Sequence, residues 1–359
     1  MIRLTPVTQS VSRRPALQLA AALTALPLAL TACGGDATES GTDPTGTTAS
    51  ELTTVTFALG YLPVAGDNGF AYAMREGLFE EQGIKIKIVP FNGTATETLV
   101  ASGQVDLGFG GGIQAGLTAF ATDVPITSIF AAGQRDTTFI GALTSSGITE
   151  PADFVGKIYG GYGSPAEEAV LNTMIENDGG TGEVKQVALE VGATEALKAD
   201  QVDLAVMYTD YAYDFDKAGV EYNRIYPQEF GVPDQEQFNV VAGNDWLDEH
   251  PDLAKGLVAA LQEGYQVAID DPAAANAALL AEFPELNANA DQVAFVNEFN
   301  AKELWPNPDG LLVGTQDLDM WQENADWMAE HGLLADVDGD SLSTFDPTPF
   351  VTNEYLPES

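Results

Sequence analysis

Short apolar runs alternate with amphipathic segments along most of the chain from Leu52 onward. Val55–Leu59 has the composition of a buried strand, and Asn68–Glu80 places its apolar residues at helical spacing. Ile84–Val89 alternates apolar and polar side chains, as a half-buried strand does. A chain that repeats this alternation is predicted to fold as an α/β protein with largely parallel sheets.

The same pattern continues in two successive units, and the second is predicted to begin near Thr144. Further strands are predicted at Val105–Phe109, Ile126–Ala131, Phe139–Leu143, Lys157–Gly160, Lys185–Leu189, Leu204–Tyr208 and Phe238–Ala242. Beyond them, helices are predicted at Pro251–Ile269, Pro272–Glu282, Asn289–Leu304 and Thr315–Met328. We therefore predict one lobe from residues 52–143 and 239–359, a second lobe from residues 144–238, and hinge strands near Leu143 and Val240.

One phrase occurs in both units. Ala101–Leu107 and Lys198–Leu204 each end a predicted helix, turn, and enter a strand through the order Gln-Val-Asp-Leu. Ligands in open α/β sheets bind outside the carboxyl ends of the strands. Gly108–Gln114 and Met207–Asp210, which follow the two phrases, are therefore candidate loops of a cleft between the lobes.

A glycine-rich turn at residues 159–168 leads from a predicted strand into a helix. Glycine allows close approach of the backbone, Ser164 suits the N-cap, and Pro165 suits the first helical position. Glu167 and Glu168 follow in the first turn. The pattern fits a loop that faces a ligand, but also an ordinary helix start whose carboxylates complement the helix dipole.

The N-terminus has the features of an export signal. Arginines precede an apolar run, Ala16–Leu30, that is too short and interrupted for a membrane span. Residues 1–32 are therefore predicted to be a signal peptide; Arg13-Arg14 leaves the twin-arginine route open beside general secretion. Leu30-Thr31-Ala32-Cys33-Gly34 resembles the lipobox of bacterial lipoproteins, in which the cysteine becomes lipidated. Cys33 is the only cysteine of the chain, which excludes an intrachain disulfide.

The segment after this motif, residues 33–51, is rich in Gly, Thr, Ser and Asp and is predicted to be a flexible tether to the lipid. Without the three arginines of residues 1–32, 11 basic side chains remain against 54 acidic ones, a net charge of −43. This charge argues against nucleic acid or an anionic membrane surface as a partner. Contact with the bilayer is expected through the N-terminal lipid only.

Several motifs resemble those of solute-binding proteins of ABC importers, the superfamily that includes nitrate-, sulfonate- and taurine-binding members. They are Gly160–Glu168, Asp178-Gly179-Gly180, Ala325–Leu334 and Thr352–Leu356, together with the more widely shared Leu99–Asp106. The resemblance is strongest to the branch that binds formylaminopyrimidine-type precursors of thiamine and is related to fungal thiamine-pyrimidine synthases. The chain departs from this branch at Tyr61–Asn68, where the branch has a Trp-Thr-Pro-Asn phrase.

The resemblance implies a two-lobed α/β periplasmic binding protein of type II, with its ligand cleft between the lobes. It implies a monomer that delivers a small molecule to an ABC permease and its ATPase, with no cofactor, no metal and no catalysis. A flat aminopyrimidine needs aromatic faces and an acceptor for its amino group, and the resemblance favours Glu167 over Glu168 as that acceptor. The predicted ligand-binding residues are Tyr61, Asp67, Asn68, Asn92, Thr94, Gly112, Gln114, Tyr162, Gly163, Ser164, Glu167, Glu168, Tyr208, Asp210 and Phe238.

Two alternatives remain at this point. Asn92–Thr96 precedes a helix and could bind an oxyanion such as nitrate or a sulfonate, although few cations, chiefly Arg135, Lys157 and Arg224, could reach a cleft. An enzyme like the fungal synthases is disfavoured, because the chain after Cys33 has no cysteine and only two histidines. That composition also excludes a zinc site of the usual kind and a Cys–His nucleophile pair.

Overall fold

The computed structural model of the chain describes residues 52–189 and 192–357. These residues form two five-stranded sheets surrounded by helices. The predicted signal peptide, the lipidation site at Cys33 and the tether at residues 33–51 lie outside the described residues. Within residues 52–189 and 192–357, no helix is long and apolar enough to cross a bilayer.

The first sheet is built from strands at both ends of the described chain. Its members are β1 (Thr53–Ala58), β2 (Ile84–Val89), β3 (Leu107–Phe109), β4 (Ile126–Gly133) and β10 (Gln237–Gly243), in the order β2-β1-β3-β10-β4. β1 pairs in parallel with β2 and β3, whereas β10 runs antiparallel to β3 and β4. We call this sheet and the helices packed on it the first lobe.

The second sheet contains β5 (Phe139–Leu143), β6 (Ile158–Gly161), β7 (Lys185–Ala188), β8 (Leu204–Met207) and β9 (Tyr222–Ile225), in the order β7-β6-β8-β5-β9. It forms the second lobe. The structure corrects the predicted end of the first lobe at residue 143, because Phe139–Leu143 pairs with β8 and β9 of the second sheet. The chain crosses between the lobes earlier, at residues 134–138, where polar residues interrupt two apolar strands. It returns at residues 226–236, and we call these two segments the first and second crossing.

The helices are α1 (Asn68–Arg75), α2 (Leu78–Glu81), α3 (Thr96–Ala101), α4 (Gly112–Ala121), α5 (Pro165–Asn177), α6 (Ala193–Lys198), α7 (Thr209–Ala218), α8 (Asn244–Glu249), α9 (Pro251–Asp270), α10 (Pro272–Glu282), α11 (Ala290–Glu303) and α12 (Leu318–Glu330). The predicted single helix Asn68–Glu80 is two helices in the structure. Gly77 lies between them with φ +80°, a left-handed conformation that ends one helix and starts the next.

Aromatic side chains fill the core of the first lobe between the sheet and α1 and α9. The rings of Phe57 and Phe70 stack with centroids 4.6 Å apart, and Phe109 packs edge-on against Phe57 at 5.1 Å. Tyr265 of α9 and Trp305 complete this cluster, with ring centroids 5.0 Å apart. All five side chains are fully or almost fully buried, so the C-terminal helices belong to the first lobe.

The repeated phrase has a structural role in both lobes. The Asp106 carboxylate accepts hydrogen bonds from the backbone N–H and the hydroxyl of Thr56, at 2.7 and 2.6 Å. In the second lobe, Asp203 accepts from the backbone N–H of Ile158 at 2.8 Å. In each case an aspartate fixes the start of one strand against its parallel neighbour.

Candidate functional site

A cavity of about 260 Å³ lies where α5 and β8 of the second lobe meet both crossings and α4 of the first lobe. We call it the central cavity. It is lined by Gln114, Asp136, Thr138, Ile140, Tyr159, Tyr162, Ser164, Ala166, Glu167, Val170, Leu171, Val206, Tyr208, Pro227, Gln228, Val232, Pro233 and Gln235. Polar groups and apolar side chains therefore share its surface, as in most sites for small molecules.

The turn between β6 and α5 supplies one wall of the cavity. Ser164 caps the helix by accepting from the Glu167 N–H at 3.2 Å, and Glu167 Oε2 accepts in return from the Ser164 N–H at 3.1 Å. Glu167 Oε1 accepts from the Tyr159 hydroxyl at 2.8 Å and from the Tyr162 N–H at 3.0 Å. A carboxylate offers about four acceptor positions, so Glu167 keeps acceptor capacity after these three bonds. Glu168, one residue further around the helix, is exposed and does not line the cavity.

The glycines of this turn are explained by the turn itself. A Cβ atom on Gly161 would collide with Glu167 Oε1 and with the Tyr159 ring. Gly163 adopts φ +72°, which L side chains rarely tolerate. These glycines therefore leave room for the Glu167 carboxylate to fold back against the backbone of the turn. The geometry of the turn itself accounts for them, without reference to a ligand.

Tyrosines surround this carboxylate. Tyr159 is buried, and burial, with the neighbouring Glu167, holds its pKa above the ordinary value. The pKa of Tyr208 is also raised, by burial first and then by Tyr162 and Asp136. Tyr208 lines the cavity together with Tyr162 of the turn and Asp136 of the first crossing. Tyr162 itself is 53% exposed, so its ring remains available to a guest.

The crossings supply a second polar wall. Asp136 Oδ1 accepts from the Thr138 N–H at 2.8 Å and from Gln237 Nε2 at 2.7 Å, while Oδ2 accepts from Gln235 Nε2 at 3.0 Å. The Asp136 N–H donates to Asp234 Oδ1 at 2.7 Å. These bonds tie the two crossings together beside the cavity.

The sequence analysis missed this second wall. Asp136, Thr138 and Gln235 line the cavity but were not predicted. The available signal was positional: Gln134-Arg135-Asp136 and Asp234–Gln237 are short polar runs next to apolar strands, which is where a chain passes between two lobes. The side-chain pairing of the two runs could not be obtained from that pattern.

The electrostatic character of the cavity is acidic. Asp136 and Glu167 line it, and its described lining contains no lysine, arginine or histidine. Arg224, one of the cations considered above, instead contacts the Tyr222 hydroxyl at 2.6 Å. The cavity thus favours a ligand that donates hydrogen bonds or carries positive charge.

Of the fifteen predicted site residues, five line the central cavity: Gln114, Tyr162, Ser164, Glu167 and Tyr208. The structure places the other ten elsewhere: Tyr61, Asp67, Asn68, Asn92, Thr94, Gly112, Gly163, Glu168, Asp210 and Phe238. Gly163 lies between the lining residues Tyr162 and Ser164, whereas Gly112 starts α4 two positions before Gln114.

On the first lobe, the Tyr61 ring lies 5.0 Å from that of Phe91 and is 58% exposed. Asn92 Oδ1 accepts from the Thr94 N–H at 3.0 Å within an exposed loop. The Phe238 ring packs 5.8 Å from Phe109 and 5.5 Å from Trp305, and so belongs to the first-lobe core.

Asp210 lies where α7 of the second lobe contacts α11 of the first. Its carboxylate accepts from the Tyr211 N–H at 2.9 Å, and its backbone carbonyl accepts from Gln292 Nε2 at 3.1 Å. Burial raises the pKa of Asp210. This residue therefore contributes to a contact between the lobes and does not face the central cavity.

Asp67 and Asn68 are sealed inside the first lobe, with 1% and 0% of their surface exposed. Asp67 Oδ2 accepts from the Val64 N–H at 2.9 Å, whereas Oδ1 has no partner in the described part of the chain. Burial raises the pKa of Asp67 to about 7, against the opposing effect of the Val64 hydrogen bond. The neutral acid is therefore favoured in the fold below about pH 7.

Residues 67–275 match the family model described as NMT1/THI5 like. The chain belongs to the NMT1/THI5-like family. A curated relative, the formylaminopyrimidine-binding protein of Halalkalibacterium halodurans, is 28% identical over 292 residues, which cover 79% of this chain and 87% of the relative.

Solved structures share the fold of this NMT1/THI5-like protein at low identity. The alkanesulfonate-binding protein SsuA of Xanthomonas axonopodis pv. citri, bound to MOPS, is 15% identical with a TM-score of 0.61; the match covers 85% of this chain and 99% of SsuA. The desulfurization enzyme DSZB is 14% identical with a TM-score of 0.56, over 84% and 97% of the two chains. The predicted two-lobed α/β binding-protein fold and the predicted family are thereby confirmed. Since an enzyme shares the fold, function must be argued from the site.

Proposed function

We propose that the chain is the substrate-binding protein of an ABC importer and that it captures an aminopyrimidine in the central cavity. The observation that carries this proposal is the Glu167 carboxylate, which lines a cavity without a basic side chain among its described lining residues and keeps acceptor capacity. The name of the curated relative, a formylaminopyrimidine-binding protein, supports the same ligand class.

The size of the cavity suits one substituted ring. Its volume of about 260 Å³ lies just below the range of about 300–1,000 Å³ typical of pockets for drug-sized ligands. In the proposed complex, Tyr162 and Tyr208 cover the faces of the ring, and Glu167 accepts from the amino group. A protonated ring nitrogen beside that amino group would add a charge-assisted bond to the same carboxylate.

An oxyanion ligand is the second candidate, because sulfonate-binding proteins share the fold. Such a ligand needs basic side chains or several converging N–H groups. Asp136 and Glu167 would instead repel it from the central cavity. The structure therefore supports the aminopyrimidine over nitrate, taurine or an alkanesulfonate.

A binding role is also proposed over catalysis. Enzymes that form a covalent adduct with a carbonyl cofactor use a lysine, and acid–base chemistry most often uses a histidine. Neither residue type is present in the described lining of the central cavity. In the proposed setting, the chain is exported, anchored to the outer face of the cell membrane through lipidated Cys33, and delivers its ligand as a monomer to a permease and its ATPase.

Isothermal titration of the purified chain against two panels tests the ligand class. One panel contains aminopyrimidines with different substituents, and the other contains taurine, an alkanesulfonate and nitrate. We expect binding from the first panel alone. Heat from the second panel with none from the first would overturn the proposal in favour of the oxyanion.

A further inference from the structure

Gln235 lines the central cavity from the second crossing. Its Nε2 donates to Asp136 Oδ2 at 3.0 Å, and its backbone N–H donates to Asp234 Oδ1 at 2.9 Å. Its Oε1 lies 3.9 Å from the position that a Cβ atom on Gly112 would take. Within residues 52–189 and 192–357, no protein donor is hydrogen-bonded to this oxygen.

Asp136 fixes the orientation of the Gln235 amide. The aspartate cannot turn away freely, because its other oxygen accepts from the Thr138 N–H and from Gln237 Nε2. A carboxylate only accepts hydrogen bonds, so it holds the NH₂ end of the Gln235 amide and leaves the carbonyl oxygen directed elsewhere. The Gln235 amide is thus oriented before a ligand arrives, so binding does not incur the entropic cost of ordering this side chain.

We propose that Gln235 is a specificity-determining residue that accepts a hydrogen bond from a second donor group on the ligand, and that Asp136 is the residue that positions it. This inference rests on the proposed function, in which Glu167 takes the amino group of the ring. A hydroxymethyl or formamidomethyl substituent on the aminopyrimidine carries the required O–H or N–H donor. A methyl group in the same place leaves Gln235 without a partner, and a site that desolvates such an acceptor disfavours that analogue.

Two aminopyrimidines that differ only in a hydroxymethyl or a methyl group test Gln235. We expect the parent protein to bind the hydroxymethyl compound about tenfold more tightly than the methyl compound. This ratio corresponds to the loss of one neutral hydrogen bond that leaves an acceptor unpaired. In Gln235→Ala the ratio of the two dissociation constants should fall to about one. Because both ligands are measured on the same preparation, a general loss of folded protein cannot produce this result. Gln266→Ala on α9, whose amide contacts Asp270, is the control and should keep the parental ratio.

A third ligand, with a methoxymethyl group that accepts but cannot donate, tests the positioning role of Asp136. In Asp136→Asn, the new amide NH₂ faces the Gln235 NH₂, and the Gln235 side chain is expected to rotate and present its own NH₂ to the ligand. The preference for methoxymethyl over methyl should then rise, whereas a purely structural role of Asp136 would weaken all three ligands alike.

The outcomes separate the two proposals. If the parent binds the compounds but Gln235→Ala keeps the parental ratio, the assignment of Gln235 is overturned while the proposed function stands. If no aminopyrimidine binds the parent at all, the proposed function fails, and the assignment that rests on it fails too.

Discussion

The turns that follow β1 and β6 contain the same hydrogen-bonding arrangement in opposite surroundings. The sheet orders β2-β1-β3-β10-β4 and β7-β6-β8-β5-β9 make β1 and β6 equivalent strands, and each leads through a Gly-Tyr pair into a helix. In the first lobe Asp67 reaches back to the Val64 N–H, and in the second Glu167 reaches back to the Ser164 N–H. Asp67 is sealed in protein, whereas Glu167 lines the central cavity. The same contact between an acidic side chain and a backbone N–H thus serves only the fold at Asp67. At Glu167 the carboxylate that makes this contact is also available to a ligand.

The largest expected effect concerns Asp67 and stability. Its pKa is raised from 3.8 to about 7 in the fold, so the folded chain keeps a proton that the unfolded chain releases. The free energy of unfolding should therefore fall as the pH rises from about 4 through 7, by up to about 1.4 kcal/mol per pH unit from this group. In Asp67→Asn this part of the slope should vanish, as measured by urea unfolding at several pH values.

Asp67→Asn must be compared with the parent at every pH, because a second buried acid, Glu236, also makes stability depend on pH. Burial raises its pKa to about 7 as well, against hydrogen bonds from the Asp317 N–H, Trp321 and Asn239, so it adds a slope of the same sign. Only the difference between parent and Asp67→Asn isolates Asp67. Equal slopes in the two proteins would show that Asp67 is already ionised in the fold. Aminopyrimidine binding by Asp67→Asn should stay within about twofold of the parent, since the residue does not line the cavity.

Glu167→Gln should weaken ligand binding, in contrast to Asp67→Asn, which should change the pH dependence of stability. Glutamine can keep the capping contact with Ser164, but it removes the charge that strengthens a bond to an amino group. We expect the dissociation constant for an aminopyrimidine to rise roughly 10- to 150-fold, the equivalent of about 1.5–3 kcal/mol. The measurement is isothermal titration.

Glu168→Gln is the matched control, because it removes the same charge from an exposed position on the same helix. Its dissociation constant should change by less than about twofold. A similar weakening in both variants would mean that the general charge of the second lobe, and not contact with Glu167, attracts the ligand.

The two strand-fixing aspartates provide a comparison of stability. Asp106 accepts two hydrogen bonds from Thr56, and Asp203 accepts one from Ile158. Replacement by alanine should cost about 2 kcal/mol at Asp106 and about 1 kcal/mol at Asp203. Thermal unfolding followed by calorimetry would measure both. A reversed order would show that burial of the neighbouring strands outweighs the number of bonds.

The smallest expected effect concerns the residue three positions before each acid. Ser164 caps α5 through its hydroxyl, so Ser164→Ala should destabilise the protein by about 1 kcal/mol. Val64 has the extended backbone of an N-cap but no side-chain oxygen, and Val64→Ser should stabilise by up to about 1 kcal/mol. Melting temperatures of the two variants should therefore shift in opposite directions. A fall in both would show that the apolar contacts of Val64 matter more than the cap.

Much of the scaffold could be predicted from the sequence. Long periodic segments such as Pro251–Asp270 and Pro272–Glu282 were predicted nearly to their observed ends, since their apolar spacing and N-terminal prolines mark helices clearly. Tyr222–Ile225 was missed as a strand, because it is short, mostly polar and paired at the edge of its sheet. The lobe boundary was misplaced for a related reason: Phe139–Leu143 has the same apolar character whichever sheet it joins.

The site was less predictable than the scaffold. Residues of the turn before α5 formed one sequential motif, so the cavity-lining Tyr162, Ser164 and Glu167 could be found together. Asp136 and Gln235 are almost one hundred positions apart and meet only after both crossings are placed side by side. Asp67 and Asn68 show the converse: the resemblance placed these polar residues among the ligand-binding ones, but the first lobe buries them.

The Asp136 bonds have a mechanical consequence. Any opening of the lobes must turn about the two crossings, and the bonds of Asp136 with Asp234 and Gln235 join those segments into one pivot. Points close to a pivot travel little while the outer rim sweeps through a wide arc. A guest touching Gln235 would consequently stay nearly in place while the outer parts of the lobes move toward or away from it.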